Sequence, residues 1–257
     1  MKETLVSVQR YALMHKMSQF QVIKRINSRE LKTVEKEGKT WIVLTEEIPA
    51  APSSLRRYEF ESADEGLFET LMQTCSYGTL SLVEGGMPYG VPVNFTWWKG
   101  CVVFHGSKEG RKMRLIKANP QASFSVVEPY AFVPSYATHS TLACSATQFF
   151  ASLIFQGDVR ILNDATEKAV ALDALMAKHQ PEGNHEPIAS QGHKTMLEKT
   201  AVFALAPISR TMKVKFGQNL PKIQQEKIIE TLRARKGVLD EETIKMMQVL
   251  FTCKGTT

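Results

Sequence analysis

A chain of 257 residues, 43% apolar and 23% charged, has the composition of an ordinary soluble protein and enough length to bury a substantial core. Its formal net charge of +6 favours anionic ligands, but the lysines are spread along the chain, so nucleic acid is not expected as a partner. No apolar run is long enough to span a bilayer and the first twenty residues lack a signal-peptide core, so a cytoplasmic location is expected. The four cysteines (Cys75, Cys101, Cys144, Cys253) form no C-x-x-C pair, which argues against a zinc site or a disulfide framework and for free thiols.

Taken in chain order, residues 1–54 read as an extension. Leu5 to Ile23 has a helical rhythm, and Thr40-Trp41-Ile42-Val43-Leu44 reads as a short strand rich in β-branched and aromatic side chains. Pro49 to Ser54 reads as a linker, because its prolines remove donors and its small residues bury little. A domain boundary is placed there, with a main domain over 55–216 and a helical tail over 217–257.

In the main domain, Ser62 followed three residues later by Glu65 signals a capping box and a helix, with Leu67, Phe68, Leu71 and Met72 at helical spacing. Strands follow at 79–83, 89–97 and 101–105, joined by turns at Gly85-Gly86 and Lys99-Gly100. A helix over 109–118 stops at Asn119-Pro120, where proline forbids continuation. Strand 121–127 leads into a loop over 128–145, and a long strand over 149–162 breaks at Gln156-Gly157. Helix 164–179, with Asp164 as N-cap, precedes a polar loop over 180–192. Strands over 200–208 and 211–216 and two tail helices, split near Lys236-Gly237, complete the chain. Hairpin turns rather than βαβ spacing predict an antiparallel barrel with helical attachments, and the absence of G-x-G-x-x-G between strand and helix disfavours a doubly wound sheet.

The chemistry concentrates where the strand ending at His105 empties into Gly106-Ser107-Lys108-Glu109-Gly110-Arg111-Lys112. Backbone N–H groups there can approach a phosphate closely, the helix start adds partial positive charge, and Arg111 and Lys112 add full charges. Two cations at a helix N-terminus oppose the macrodipole unless an anion is present. His105 read alone is a half-buried strand-end histidine or a proton donor. Trp97 and Trp98 point to opposite faces of their strand, so at most one of them meets a ligand. Four other histidines (His139, His179, His185, His193) lack ligand-like spacing and read as surface residues ahead of metal or haem ligands. The tail's basic residues alternate with Glu226 and Glu230, as on a salt-bridged surface.

An ordered set of pieces resembles the pyridoxamine-phosphate-oxidase-like FMN-binding split barrels, and within them the nitroimidazole-resistance branch. The set is Arg56-Arg57, Tyr77-Gly78-Thr79-Leu80, Pro88 to Phe95, Phe104-His105-Gly106, Glu109 to Lys112, Asn119-Pro120, Cys144-x-x-Thr147, Phe150-x-Ser152-Leu153-Ile154, Gly157, Glu167-Lys168 and Leu172-x-x-Leu175-Met176. The likeness covers about residues 56–180. It implies a mainly β, α+β fold: a six-stranded antiparallel split β-barrel with helical N- and C-terminal extensions, holding FMN at the interface of a homodimer.

By the same resemblance, Arg111 and Lys112 bind the FMN phosphate with Ser107 as a hydroxyl donor. Val91, Pro92, Val93 and Asn94 lie along the isoalloxazine, Ser152 and Gln156 line the site from the later strand, and His105 stands near flavin and substrate. The implied activity is that of a small FMN-dependent oxidoreductase reducing a small acceptor such as a nitro-aromatic compound, with His105 as the catalytic candidate and no metal. Ala151 stands where that branch shows an arginine. The rival readings are a haem-binding or haem-degrading barrel and a non-enzymatic flavin-binding regulator. A pyridoxamine-phosphate oxidase proper is disfavoured, because only Arg210 lies where that enzyme carries its substrate-binding arginine motif.

Overall fold

The structure, a computed structural model, describes residues 4–14, 17–28, 31–36, 39–44, 55–138 and 141–252. The expected linker over 49–54, His139 and Cys253 lie outside the described residues. The chain divides into two compact units, Met1–Pro52 and Ser53–Thr257.

The first unit contains β1 (Thr4–Ser7), α1 (Val8–Met14), α2 (Gln19–Asn27), β2 (Thr33–Lys36) and β3 (Lys39–Leu44). The strands form an antiparallel sheet in the order β1-β3-β2, with Val6 and Thr33 both opposite Ile42. Val6, Tyr11, Ala12, Val22 and Ile42 make its core. Ser18 starts α2 with a reciprocal capping box: its hydroxyl accepts from the Gln21 amide and the Gln21 side chain accepts from the Ser18 amide.

The second unit contains α3 (Glu65–Thr74), β4 (Tyr77–Glu84), β5 (Met87–Trp98), β6 (Cys101–Ser107), α4 (Arg111–Ala118), β7 (Gln121–Val133), β8 (Thr147–Leu162), α5 (Ala165–His179), α6 (Lys194–Lys199), β9 (Thr200–Lys215), α7 (Lys222–Arg235) and α8 (Asp240–Thr252). Six antiparallel strands pair in the order β4-β5-β6-β9-β8-β7. The ring is completed where Thr79, Leu80 and Ser81 of β4 face Ser125, Phe124 and Ser123 of β7.

The expected fold class is therefore corrected in two respects. The molecule is a mixed α+β fold with six antiparallel strands, but no open seam splits them, because each strand is hydrogen-bonded to two neighbours. Nor is the N-terminal extension helical alone, since beside α1 and α2 it carries its own three-stranded sheet. Smaller corrections have local causes. Asp64, not Ser62, caps α3, accepting from the Leu67 amide at 3.0 Å. β7 continues to Val133, into the expected loop, and β9 runs as one strand from Thr200 to Lys215 because β8 pairs with it on both sides of a one-residue bulge at Ile208.

The barrel interior is aromatic. Phe104 stacks on Phe203 at 5.2 Å, and Phe95 meets Phe124 edge-on at 5.2 Å. All four are fully buried, each contributing about 2–3 kcal/mol by burial. β6 is covered on both faces. Phe104 points inward, while Val103 packs outward with Val202, Ala204, Leu162 and Ala171 beneath α5. Asp164 caps α5 by accepting from the Glu167 amide at 2.7 Å. Its far end, Lys178 and His179, is thereby delivered to the edge of β5.

Candidate functional site

Lys99 and Gly100 both adopt positive φ, 49° and 73°, the geometry of a two-residue hairpin turn that preserves strand twist. The turn sets β5 against β6 from Trp98↔Cys101 to Phe95↔Phe104. Beyond Phe104 the strands part. β5 continues against β4 alone, with Asn94 opposite Tyr77 and Val91 opposite Leu80, while β6 continues against β9, with His105 opposite Val202. His179 occupies the parting, its Nε2 3.1 Å from the Phe95 carbonyl oxygen.

Three expected site residues, His105, Ser107 and Lys112, gather at this end of β6. Lys112 folds back and donates to the His105 carbonyl at 3.0 Å, with its ammonium 5.6 Å and 5.4 Å from the centres of the Phe104 and Phe203 rings. Gly106 makes room for it, since a Cβ there would lie 2.5 Å from Lys112 Nζ. Burial pushes the Lys112 amine below its ordinary range. The Ser107 hydroxyl accepts from the Glu109 amide at 3.0 Å and shapes the turn into α4. His105 is held below its usual range by burial first, then by the charges of Lys112 and His179. The shift favours the neutral imidazole, a hydrogen-bonding group rather than a cation.

Arg111 is committed elsewhere. Its guanidinium pairs with Glu84 at 2.6 Å and lies 4.0 Å over the Tyr89 ring. Arg114 shares the same carboxylate, and these two arginines, Arg114 foremost, hold Glu84 below the usual carboxylate range. Gly110, the N-cap of α4, offers no side-chain acceptor to the first-turn amides.

The other expected residues lie apart. Val91 and Val93 are half-buried and pack against the core, whereas Pro92 and Asn94 face outward, Asn94 donating to the Ser76 carbonyl at 2.9 Å. Gln156 and Ser152 are on β8. Across the sheet from His105, through Val202, stands Leu162. Gln156 is six residues back along β8 and Ser152 ten, or about 20 Å and about 33 Å of strand path. Gln156 accepts from the Ser209 hydroxyl at 3.2 Å, and Ser152 is 8% exposed. One chain does not bring these two to the His105–Lys112 end. Trp97 packs against Phe68 and Phe155, while Trp98 packs over the cluster beneath α5 with the Lys99 ammonium on its ring.

Lys178 and His179 were not among the expected site residues, although a basic last turn on a helix as regular as 164–179 was a usable signal. Lys178 Nζ is buried, finds no hydrogen-bond acceptor among the described residues, and sits 3.5 Å from the centre of the Phe95 ring. Burial pushes its pKa down from 10.5 to about 8. Nearby, the Cys75 thiol donates to Glu128 at 3.0 Å and is pushed up to about 12 by burial and then by that carboxylate. Such a thiol is a poor nucleophile.

The buried Lys178 amine makes stability depend on pH. Below pH 8 the folded chain must bury a charged amine, while between pH 8 and 10.5 it sheds that proton before the unfolded chain does. Lys178→Met should raise Tm by about 2–4 °C at pH 7, screening of the partly exposed stem keeping the gain small, and the gain should fade as pH rises through that window. A gain of equal size at pH 7 and pH 10 contradicts the assignment.

No helix among the described residues is long and apolar enough to cross a membrane. A sequence profile of the family described as pyridoxamine 5'-phosphate oxidase matches residues 64–214. Among solved structures, the chain is similar to the flavocytochrome Anf3 of Azotobacter vinelandii, at 20% identity and TM-score 0.54, over 65% of this chain and 76% of that one. It is also similar to an FAD and haem binding protein of Mycobacterium smegmatis, at 20% identity and TM-score 0.51, over 61% and 73%. A protein from Bacteroides thetaiotaomicron named for 5-nitroimidazole antibiotic resistance matches at 20% identity and TM-score 0.49, over 60% and 86%. No curated protein matches the chain.

Proposed function

Because this chain belongs to the pyridoxamine 5'-phosphate oxidase family, within the flavin- and haem-binding superfamily that shares its fold, we propose that it binds FMN and works as a small oxidoreductase. The observation that carries this reading is the β6–α4 turn. There the first-turn amides of α4 receive no side-chain acceptor from Gly110, and the half-buried Lys112 ammonium and the Ser107 hydroxyl lie within the same few residues. That set of donors fits a phosphate dianion. Lys112 is the principal cation, and Arg111, steered by Glu84, lends its charge from the same turn.

Bound FMN supplies hydride or single-electron transfer to a small acceptor. The chain's own residues bind and orient. Val91 to Asn94 present a strand edge to the ring, and His105, its neutral form favoured by its surroundings, offers a hydrogen bond to the flavin or the acceptor.

A homodimer with FMN at its interface completes the arrangement. The outward faces of β4, β7 and β8 place Thr79, Ser81, Ser123 and Ser125, short side chains that let a second copy approach closely, beside the exposed apolar Ile154. In that assembly, Ser152 and Gln156 serve the partner's flavin. Among the described residues no disulfide joins the cysteines, which supports a cytoplasmic location.

The test is a titration of flavin-free protein with FMN and with riboflavin, followed by flavin fluorescence. FMN should bind about 100-fold more tightly, as two charge-assisted contacts predict, and Arg111→Ala combined with Lys112→Ala should reduce it to the riboflavin level. Equal affinity for the two flavins, or undiminished FMN binding by the double variant, defeats the proposal. A Soret band in the purified protein favours haem instead.

A further inference from the structure

A cavity of about 220 Å3 lies beneath α4, lined by the loop before that helix, its last turn, the end of β8, the first turns of α5 and the start of β9. None of the ten residues expected to hold the flavin lines it. Its polar lining is Lys108, Lys117, Lys168, Asn163 and Thr200, and its walls are apolar at Met113 and Leu162. Among the described residues, no carboxylate lines it. None of the three lysines is ion-paired among the described residues.

Lysines on an open surface need no explanation, but Lys168 is only 6% exposed. Its ammonium donates to the Leu197 carbonyl, which leaves two of its three donors without a partner among the described residues. Burial, then the charge of Lys108, push the Lys168 amine down, and Glu198 offsets this only as the smallest of the three influences. The Thr200 hydroxyl already donates to the Met196 carbonyl, so the free donors are the lysine ammoniums and the Asn163 amide. Three like charges around an apolar-walled concavity repel one another more strongly than they would in water, and a multivalent anion relieves that repulsion.

We propose that this cavity is a second anion site, which takes the phosphoryl group of a small organic phosphate with an apolar body; it draws Lys108 from the β6–α4 turn but none of the residues assigned to the flavin phosphate. The three ammoniums and Asn163 meet the phosphoryl oxygens, while Met113 and Leu162 pack against the carbon portion. Its volume holds a phosphoryl group with only a few carbons.

The test is calorimetric titration of inorganic pyrophosphate into the full chain, its flavin-phosphate site first saturated with FMN, at an ionic strength fixed with sodium chloride. Saturable one-site binding is expected, weakened about tenfold by Lys108→Gln and again by Lys117→Gln. Both positions are exposed, so these variants keep the fold. Arg111→Ala combined with Lys112→Ala should leave pyrophosphate binding intact, and Lys117→Gln should leave FMN binding intact. Absence of saturable binding, or binding that survives loss of both Lys108 and Lys117, overturns the proposal. Loss of pyrophosphate binding in the Arg111/Lys112 variant, or of FMN binding in Lys117→Gln, merges the two sites and equally overturns it.

Discussion

Gly157→Ala is expected to destabilise the barrel by about 3 kcal/mol or more, enough to leave much of the protein insoluble on expression. At this position β8 and β9 slip register: Gln156 faces Ser209, but Gly157 faces Pro207, so β9 carries an extra residue, Ile208, at a bulge. A Cβ on residue 157 would lie 2.0 Å from the Ala206 carbonyl oxygen, 2.9 Å from its carbon and 3.1 Å from Pro207 Cα. All three are backbone atoms, so no rotamer change relieves the clash. The strands must separate, and with them the ladder that runs from Phe150 to Leu162. Gly90→Ala is the matched control: its Cβ would meet only the Thr79 methyl at 3.4 Å, an ordinary contact. Urea denaturation should show a large loss of midpoint for the first variant and about 0.5 kcal/mol or less for the second. Equal midpoints contradict the close approach of β9.

Asp240→Ala should cost about 2–4 kcal/mol through the C-terminal hairpin. Asp240 is 2% exposed and joins the start of α8 to the end of α7. Its carboxylate accepts from Arg235 Nε at 2.9 Å, from Arg235 Nη2 and from the Gly237 amide at 2.7 Å. Arg235 in turn donates to the Phe132 carbonyl at 2.8 Å, tying the hairpin to β7. Nearby, the Ala131 amide donates to the Thr243 hydroxyl. Removing the carboxylate leaves a guanidinium and a backbone N–H without their acceptor. Arg235 first, and the Gly237 amide with it, hold the Asp240 carboxyl below its ordinary 3.8. The stability it contributes is thus fully present above about pH 4 and is lost as pH falls through the lower, folded value. Melting curves from pH 7 to pH 3 should show wild type and variant converging in acid. A constant gap across that range removes the ion pair from the account.

The local elements were legible because their causes are local. Asp164 before Glu167 and an Ala/Leu rhythm is a helix start wherever it occurs, and α5 begins there. Lys99-Gly100 between two apolar strands closes a hairpin by its own backbone preferences. Legibility failed where two local signals competed, as at Ser62 and Asp64, both credible caps two residues apart. It failed again at Leu5–Ile23, where the four-residue β1 is masked by the helical rhythm of α1 and α2. In β9, Ser209 and Arg210 fall between two expected strands, yet β8 pairs with both, Gln156 facing Ser209 and Phe155 facing Arg210, and only the bulge at Ile208 marks the place.

By itself, the sequence determined where the chain turns, where helices start, and that cations gather after His105, since each depends on residues a few positions apart. Only the tertiary structure decided what those cations face. Glu84, 27 residues before Arg111, claims that guanidinium because α4 packs on β4. Lys108, Lys117 and Lys168 share a cavity because α5 folds back beside the end of β8. Charge partnership acts through space and is settled by long-range packing, which no short window of sequence contains.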